Sequence, residues 1–282
     1  MEIGIANQLH HVWEWPLGLH FVLSALVAGL SIIAGIAFLR GKEALTKIAV
    51  FFAFPILIID LLSLILDLGK MFSAFWLFLN FKPFSAISWG TWSLSLCAVC
   101  LFGYVVSYLK LYVLPKRILN LLAWLMIGSS IVVGTYTGAM YASCMQAVPL
   151  WCSMILAPLF LASAVAMGAA LLELFKYGED TNGWALTLGA FFAGLMLVFY
   201  MAELYCSPQP IRVALEHLLD HYGISWWITV SLGFLVPALL SVVWIVRQGK
   251  TPAILGKIIA LLVLLGGVGI RFVLLFAGQG SL

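Results

Sequence analysis

Charge is scarce in this sequence. Only 9% of the 282 residues are Asp, Glu, Lys or Arg, whereas a soluble domain carries about 25%. Hydrophobic residues make up 64% of the chain, and the mean hydropathy is +1.14. This composition excludes a soluble domain and predicts a protein embedded in lipid. The net charge of +3 therefore does not indicate nucleic-acid binding; its distribution reports membrane orientation instead.

Side chains that ligate metals are also few. Cys97 and Cys100 form a CxxC inside an apolar run, without a second Cys or His pair, which favours a packing role. Cys144, Cys152 and Cys206 fall near one predicted membrane face. They allow one disulfide if that face is oxidising. We expect no iron–sulfur cluster in this chain.

Histidines at lipid depth, which a haem between helices requires, are similarly lacking. His20 is the only one within a predicted spanning run, while His217 and His221 fall on a predicted surface helix. We therefore expect no haem. The chain begins MEIGIANQLHHVWEW, without a basic segment before the first apolar run. This pattern predicts no cleaved signal peptide.

Long apolar runs dominate what is present. A spanning helix needs about 20 such residues, and eight runs qualify: 15–39, 48–69, 88–109, 119–141, 151–175, 184–206, 225–247 and 253–277. No long polar segment separates them. We predict an all-α integral membrane protein with one domain over 1–282 and eight transmembrane helices, arranged as two four-helix bundles. Residues 207–225 predict a short amphipathic surface helix that begins at Ser207-Pro208 and ends at Gly223.

The connecting loops alternate in charge. One side holds nine basic residues, namely Arg40, Lys42, Lys47, Lys110, Lys116, Arg117, Lys176, Arg247 and Lys250, and the other holds Lys70, Lys82 and Arg212. Because basic loops stay in the cytoplasm, both termini are predicted to lie outside. In a bacterium this is the periplasmic side of the inner membrane.

Ionisable side chains inside a membrane are costly and mark functional sites by default. The sequence places eight there: Glu14, His20, Asp60, Asp67, Glu173, Glu203, Lys257 and Arg271. Glu173 and Lys257 lie at inner helix ends, where we expect them to snorkel. Counting about 1.5 Å per residue from the helix ends puts five groups within about 10 Å of the outer surface: His20, Asp67, Tyr136, Glu203 and Arg271.

Each of these groups also has an ordinary explanation. Asp67 and Glu203 lie close enough to helix ends to be solvated, Arg271 can pair with an acid between helices, and His20 can bond a backbone group. Five helices meeting at one depth nevertheless favour a site. Asp60 is predicted about 10 Å deeper than Asp67 on the same helix. It is either a neutral, hydrogen-bonded carboxyl or part of a proton path.

An aromatic loop follows the second helix. Residues 70–87 contain Phe72, Phe75, Trp76, Phe78, Phe81 and Phe84, too many aromatic residues for a solvated loop. We interpret this loop as a lid that covers a pocket at the outer interface. Lys70, Lys82 and Arg212 lie on the same side and are candidates for docking a partner.

The predicted chemistry is that of a quinone. His20 and Tyr136 suit the two oxygens of a quinone ring. Asp67 and Glu203 are placed to exchange the accompanying protons, with Arg271 fixing their charge state. Asp60 would open a proton route to the inner side and make the reaction electrogenic. Lacking redox centres of its own, the chain needs an external partner with iron–sulfur clusters.

The alternative is an ion or proton-coupled transporter without a redox partner. Pro55 and Pro158 permit broken helices of the kind transporters use. Against it, the polar groups cluster near one face instead of at the midplane. A purely structural anchor would leave the buried ionisable groups unexplained.

Several motifs resemble the membrane subunit of polysulfide reductase, in the NrfD-like group. They are WPLGLHFVL at 15–23, WLFLNFKPFS at 76–85, ISWGTW at 87–92, YTG at 136–138, GIR at 269–271 and AGQ at 277–279. The resemblance covers most of the chain. It implies a menaquinone or ubiquinone site near the outer face, served by an iron–sulfur subunit and a molybdopterin catalytic subunit.

By motif position the resemblance gives His20 and Tyr136 as the quinone's hydrogen-bonding partners, with Asp67 nearby. One position departs from the family pattern: three residues before the histidine the family carries a polar Asn, and this chain has Leu17. The catalytic subunit would choose the terminal substrate, so this chain does not name it.

Overall fold

A computed structural model describes residues 15–68, 79–144, 148–175, 183–247 and 253–280. Every long element in these ranges is a helix: α1 (Trp15–Leu39), α2 (Glu43–Leu68), α3 (Ala86–Tyr108), α4 (Lys116–Ser143), α5 (Leu156–Leu174), α6 (Gly183–Cys206), α7 (Gln209–Val246) and α8 (Ala253–Gly280). All eight are long and apolar enough to cross a membrane. The predicted fold class is confirmed, and the protein is a multi-pass integral membrane protein.

The helices pack in two groups joined through α1, α4 and α5. In the first group α1 packs on α2 and α4, and α3 packs on α4; in the second, α5 packs on α6 and α8, and α7 packs on α8. The two groups meet where α1 and α4 contact α5. Gly29 and Gly168 let α1 and α5 approach to backbone contact, because a Cβ on either residue would collide with the other helix.

The predicted separation of a surface helix from the seventh spanning helix is wrong. α7 runs without a break through Gly223 and is 38 residues long. At 1.5 Å per residue that is about 57 Å, well beyond the roughly 30 Å of a hydrocarbon layer. Residues Ser231–Leu235 form a π-helical turn just before Pro237, where the missing proline N–H would interrupt regular bonding.

Two other expectations need correction. Neither proline predicted to permit a helix break interrupts one: α2 is continuous through Pro55, and Pro158 falls in the first turn of α5. Glu173 does not snorkel, since it is buried.

All five cysteines are free, and the Cys97 thiol donates to Ser31 Oγ at 3.5 Å, as expected for a packing role.

Candidate functional site

Three polar side chains from three helices form one hydrogen-bonded chain. His20 of α1 lies at its centre, with Nδ1 2.7 Å from Asp60 Oδ1 of α2 and Nε2 2.5 Å from the Tyr136 hydroxyl of α4. Their exposed fractions are 3%, 0% and 7%. Polar groups buried to this extent need hydrogen-bond partners, and His20 is the partner of both Asp60 and Tyr136. We call these three residues the His20 triad.

The helix positions of the triad explain why it forms. His20 is in the second turn of α1, Asp60 lies eight residues before the end of α2, and Tyr136 lies seven before the end of α4. Because α1 runs antiparallel to α2 and α4, these positions share a level. The sequence-based prediction sets Asp60 apart from the outer group of polar residues, whereas the structure places its side chain in direct contact with His20.

The tautomer of His20 follows from the charge of Asp60. An ionised carboxylate only accepts hydrogen bonds, so an ionised Asp60 requires the hydrogen on Nδ1. Nε2 then accepts the hydrogen of the Tyr136 hydroxyl. In this arrangement the phenolic oxygen of Tyr136 retains lone pairs for one further donor.

Asp60 is held at one oxygen only. Its Oδ1 meets His20, whereas Oδ2 is buried and has no hydrogen-bond partner among the described residues. An unsatisfied buried oxygen costs about 1–3 kcal/mol, and more when it is charged. Such an atom is suited to accepting a proton.

Tyr136 owes its position to a glycine that lies within one of the family motifs but has no role predicted from sequence. A Cβ built on Gly90 of α3 would lie 2.5 Å from the Tyr136 ring. Any larger residue would displace the ring and, with it, the hydroxyl that meets His20. The requirement is visible only once α3 and α4 are packed together.

A groove lies between α3 and α4, and neither Gly90 nor Tyr136 lines it. Its volume is about 760 Å³, and its lining includes Trp89 and Ser93, which flank Gly90, and Val132, one turn from Tyr136. Phe81, from the loop predicted to be a lid, lines the same groove and packs edge-on against Trp89. The described end of that loop thus adjoins the groove.

Two predicted site residues, Asp67 and Trp76, and one docking candidate, Lys70, fall outside this description. Asp67 belongs to the last turn of α2, but its side chain lies beyond the described part. Trp76 and Lys70 also lie outside the described residues. Their assigned roles remain predictions.

Glu203 has a partner that sequence reasoning missed. The hydroxyl of Ser153 donates a short hydrogen bond to the Glu203 carboxylate and accepts the backbone N–H of Ile155 at 3.1 Å. Glu203 is half-buried near the end of α6. It therefore ties the start of α5 to the end of α6. None of the hydrogen bonds described for Glu203 reaches the His20 triad.

Arg271 is fully buried and bonds neutral groups. Its guanidinium donates to Gly267 O at 2.8 Å and Ser163 Oγ at 3.1 Å, and lies 4.8 Å from the centre of the Phe160 ring. Within the described ranges no carboxylate forms an ion pair with it. The expectation that Arg271 fixes the charge of Glu203 therefore has no contact to support it.

Comparisons with known proteins agree on one family. Residues 3–282 match the family described as "Polysulphide reductase, NrfD". The sequence is 27% identical to the C chain of the polysulfide reductase of Wolinella succinogenes, over 95% of this protein and 94% of that one. It is 27% identical to protein NrfD of Escherichia coli (strain K12), over 95% of each.

The name of a more distant relative includes the word menaquinol. The Hdr-like menaquinol oxidoreductase integral membrane subunit of Archaeoglobus fulgidus is 25% identical over 77% of this protein and 58% of that one. Matched over nearly its whole length, the protein belongs to the NrfD polysulphide reductase family of oxidoreductase membrane subunits.

Proposed function

We propose that this protein is the quinol-binding subunit of a respiratory oxidoreductase complex and that the His20 triad is its quinol site. The observation that carries the proposal is the unbroken hydrogen-bonded series from Tyr136 through His20 to Asp60. A quinol supplies two electrons and two protons. The three titratable groups of the His20 triad form a path along which a proton can be transferred.

The triad moves a proton from Tyr136 through His20 to Asp60. The phenolic oxygen takes the proton of a ring hydroxyl as the phenol passes its own hydrogen to His20 Nε2. His20 in turn releases the Nδ1 hydrogen to Asp60. Each transfer follows a hydrogen bond of 2.7 Å or less, so the residues need not rearrange.

Asp60 is the end of this relay. Asp60 receives the proton at Oδ1, and a turn of the carboxyl group brings it to the position of Oδ2, which has no hydrogen-bond partner among the described residues, for release. Release toward the side opposite the partner subunit would make the reaction electrogenic. Asp67 and Glu203 remain candidates for exchanging the second proton at the outer face.

The groove between α3 and α4 suits the apolar remainder of a quinol. Aromatic and aliphatic side chains line most of it, and Val132 of its lining is one turn from Tyr136 on α4. Its volume, about 760 Å³, falls within the range of about 300–1,000 Å³ that is typical of ligand sites. A menaquinol is favoured by the name of the Archaeoglobus relative; a ubiquinol has the same ring oxygens.

The electrons must leave the subunit. We infer an iron–sulfur subunit and a molybdopterin subunit on the outer face, docked near Lys82, Arg212 and the aromatic loop. In a bacterium this complex would sit in the inner membrane. Arg271 positions α8 against α5 in this proposal, since its contacts lie on those two helices.

Quinol oxidation by membranes containing the complete complex tests the proposal. We expect His20→Ala and Tyr136→Phe to lower the rate at least about tenfold, equivalent to about 1.4 kcal/mol. Tyr141→Phe is the matched control, because Tyr141 is equally buried on the same helix but donates to Arg271 O. Unchanged oxidation in both triad variants, together with proton flux in liposomes, would favour the transporter instead.

A further inference from the structure

A second groove lies on a different face of the molecule. It has a volume of about 520 Å³ and runs between α1 and α6, with α5 as its floor. None of the His20 triad residues lines it. The charged residues in its lining are Arg40 and Lys42, and both lie at one end of the groove.

The helical spacing of the lining residues explains the apolar walls. On α5 the floor is formed by Pro158, Leu161 and Val165, which recur at i, i+3 and i+7 and so share one face. Ile33 and Ile36 line the α1 side in the same way. A helix that presents such a stripe without a protein neighbour needs an apolar occupant or lipid.

The basic end is built by a tight turn after α1. Gly41 has φ +74, the left-handed conformation that ends many helices. Its N–H donates to Phe38 O at 2.9 Å, and the N–H of Lys42 donates to Ala37 O at 2.9 Å. This paired arrangement reverses the backbone and sets Arg40 and Lys42 on either side of one glycine, at the mouth of the groove.

The surroundings of this end fit a membrane interface. Trp184, in the first turn of α6, is 57% exposed and lines the groove at the same end, as interfacial tryptophans do. The alternation of loop charge assigns this end to the cytoplasmic leaflet, where anionic lipids attract basic segments. Glu43 follows directly in sequence but does not line the groove.

We propose that this groove binds an anionic phospholipid, with the phosphate between Arg40 and Lys42 and an acyl tail along the apolar walls. Charge complementarity selects this occupant. A neutral quinone ring gains little from two cations, and a zwitterionic headgroup would bring its own cation to them. The site does not depend on the quinol site and stands if that proposal fails.

Lipid analysis of the complex purified in mild detergent tests the inference. Extracted phosphatidylglycerol, cardiolipin, phosphatidylethanolamine and quinone are quantified per complex by mass spectrometry. The charge variant is Arg40→Gln with Lys42→Gln, and the groove-filling variant is Ala162→Phe. The matched control is Lys116→Gln with Arg117→Gln, two exposed cations at the start of α4, on the same predicted side and outside the groove.

We expect the charge variant to retain about tenfold less anionic phospholipid than the unaltered protein. The groove-filling variant should show a similar loss, and the control should retain the normal amount. Equal retention in all four proteins would overturn the inference, as would equal losses in the charge variant and the control. Selective loss of quinone or phosphatidylethanolamine from Ala162→Phe would assign the groove to another occupant.

Discussion

The Nδ1 atom of His20 lies 2.7 Å from Oδ1 of Asp60, and both side chains are buried between the first two helices. A pair of this kind fixes the ring of the histidine and selects its tautomer. His20 can then accept from Tyr136 at the other nitrogen. The contact thus makes Asp60 part of the site that the sequence assigned to His20 and Tyr136.

Removing the proton-accepting ability of Asp60 should slow turnover while leaving binding intact. In Asp60→Asn the amide oxygen can still accept from His20 Nδ1, so the ring stays in place. We expect quinol oxidation to fall at least about tenfold, equivalent to about 1.4 kcal/mol, while affinity for a quinol-site inhibitor changes little. Full turnover in Asp60→Asn would remove this residue from the proton path.

Gly90 should matter through Tyr136. Gly90→Ala places a methyl group against the Tyr136 ring, so we expect weaker inhibitor binding and slower quinol oxidation in a protein that still folds. The control is Gly223→Ala, since Gly223 lies on α7, outside the groove, with open space around its Cβ position. If both alanine variants bind the inhibitor and oxidise quinol equally well, the Gly90–Tyr136 contact is not needed to position Tyr136 for quinol binding.

Glu203 and Ser153 should act as one structural unit. We expect Glu203→Gln and Ser153→Ala each to lower the unfolding temperature of the purified protein, because each breaks the bond between α6 and the start of α5. The unfolding temperature of the double variant should fall by less than the sum of the two single decreases, as is expected for interacting neighbours. Additive losses would show that the two side chains do not act as one unit.

Membrane orientation follows from the loop charges. With the eight spanning helices found in the described residues, both termini are predicted on one side, and nine basic loop residues against three predict that this is the outer side, the periplasm in a bacterium. A C-terminal alkaline phosphatase fusion should therefore be active, and a C-terminal green fluorescent protein fusion should be dark. The reverse pattern would invert every assignment of inner and outer face.

Sequence reasoning predicted the helices well because membrane spans have long, strong apolar signals. It failed at α7, where the amphipathic half and the apolar half share one continuous helix. The change in composition at Gly223 resembles a helix end, but a glycine inside a helix costs only about 1 kcal/mol, and α7 continues through it.

The site was predicted in part. His20 and Tyr136 were chosen from motif and depth, and the structure brings them together. Counting along α2 places Asp60 about 10 Å deeper than Asp67, but it does not show that the packing of α1 against α2 brings Asp60 to the level of His20. The Ser153–Glu203 bond and the Gly90–Tyr136 contact have no local sequence signal, since each depends on how two distant segments pack.

The most direct test of the central claim is the affinity of a quinol-site inhibitor for three purified proteins: unaltered, Tyr136→Phe and Tyr141→Phe. Each substitution removes one buried hydroxyl from α4, but only Tyr136 bonds His20. We predict that Tyr136→Phe raises the dissociation constant by about tenfold or more, equivalent to about 1.4 kcal/mol, and that Tyr141→Phe leaves it nearly unchanged. Equal affinities in all three proteins would contradict a quinol site at the His20 triad.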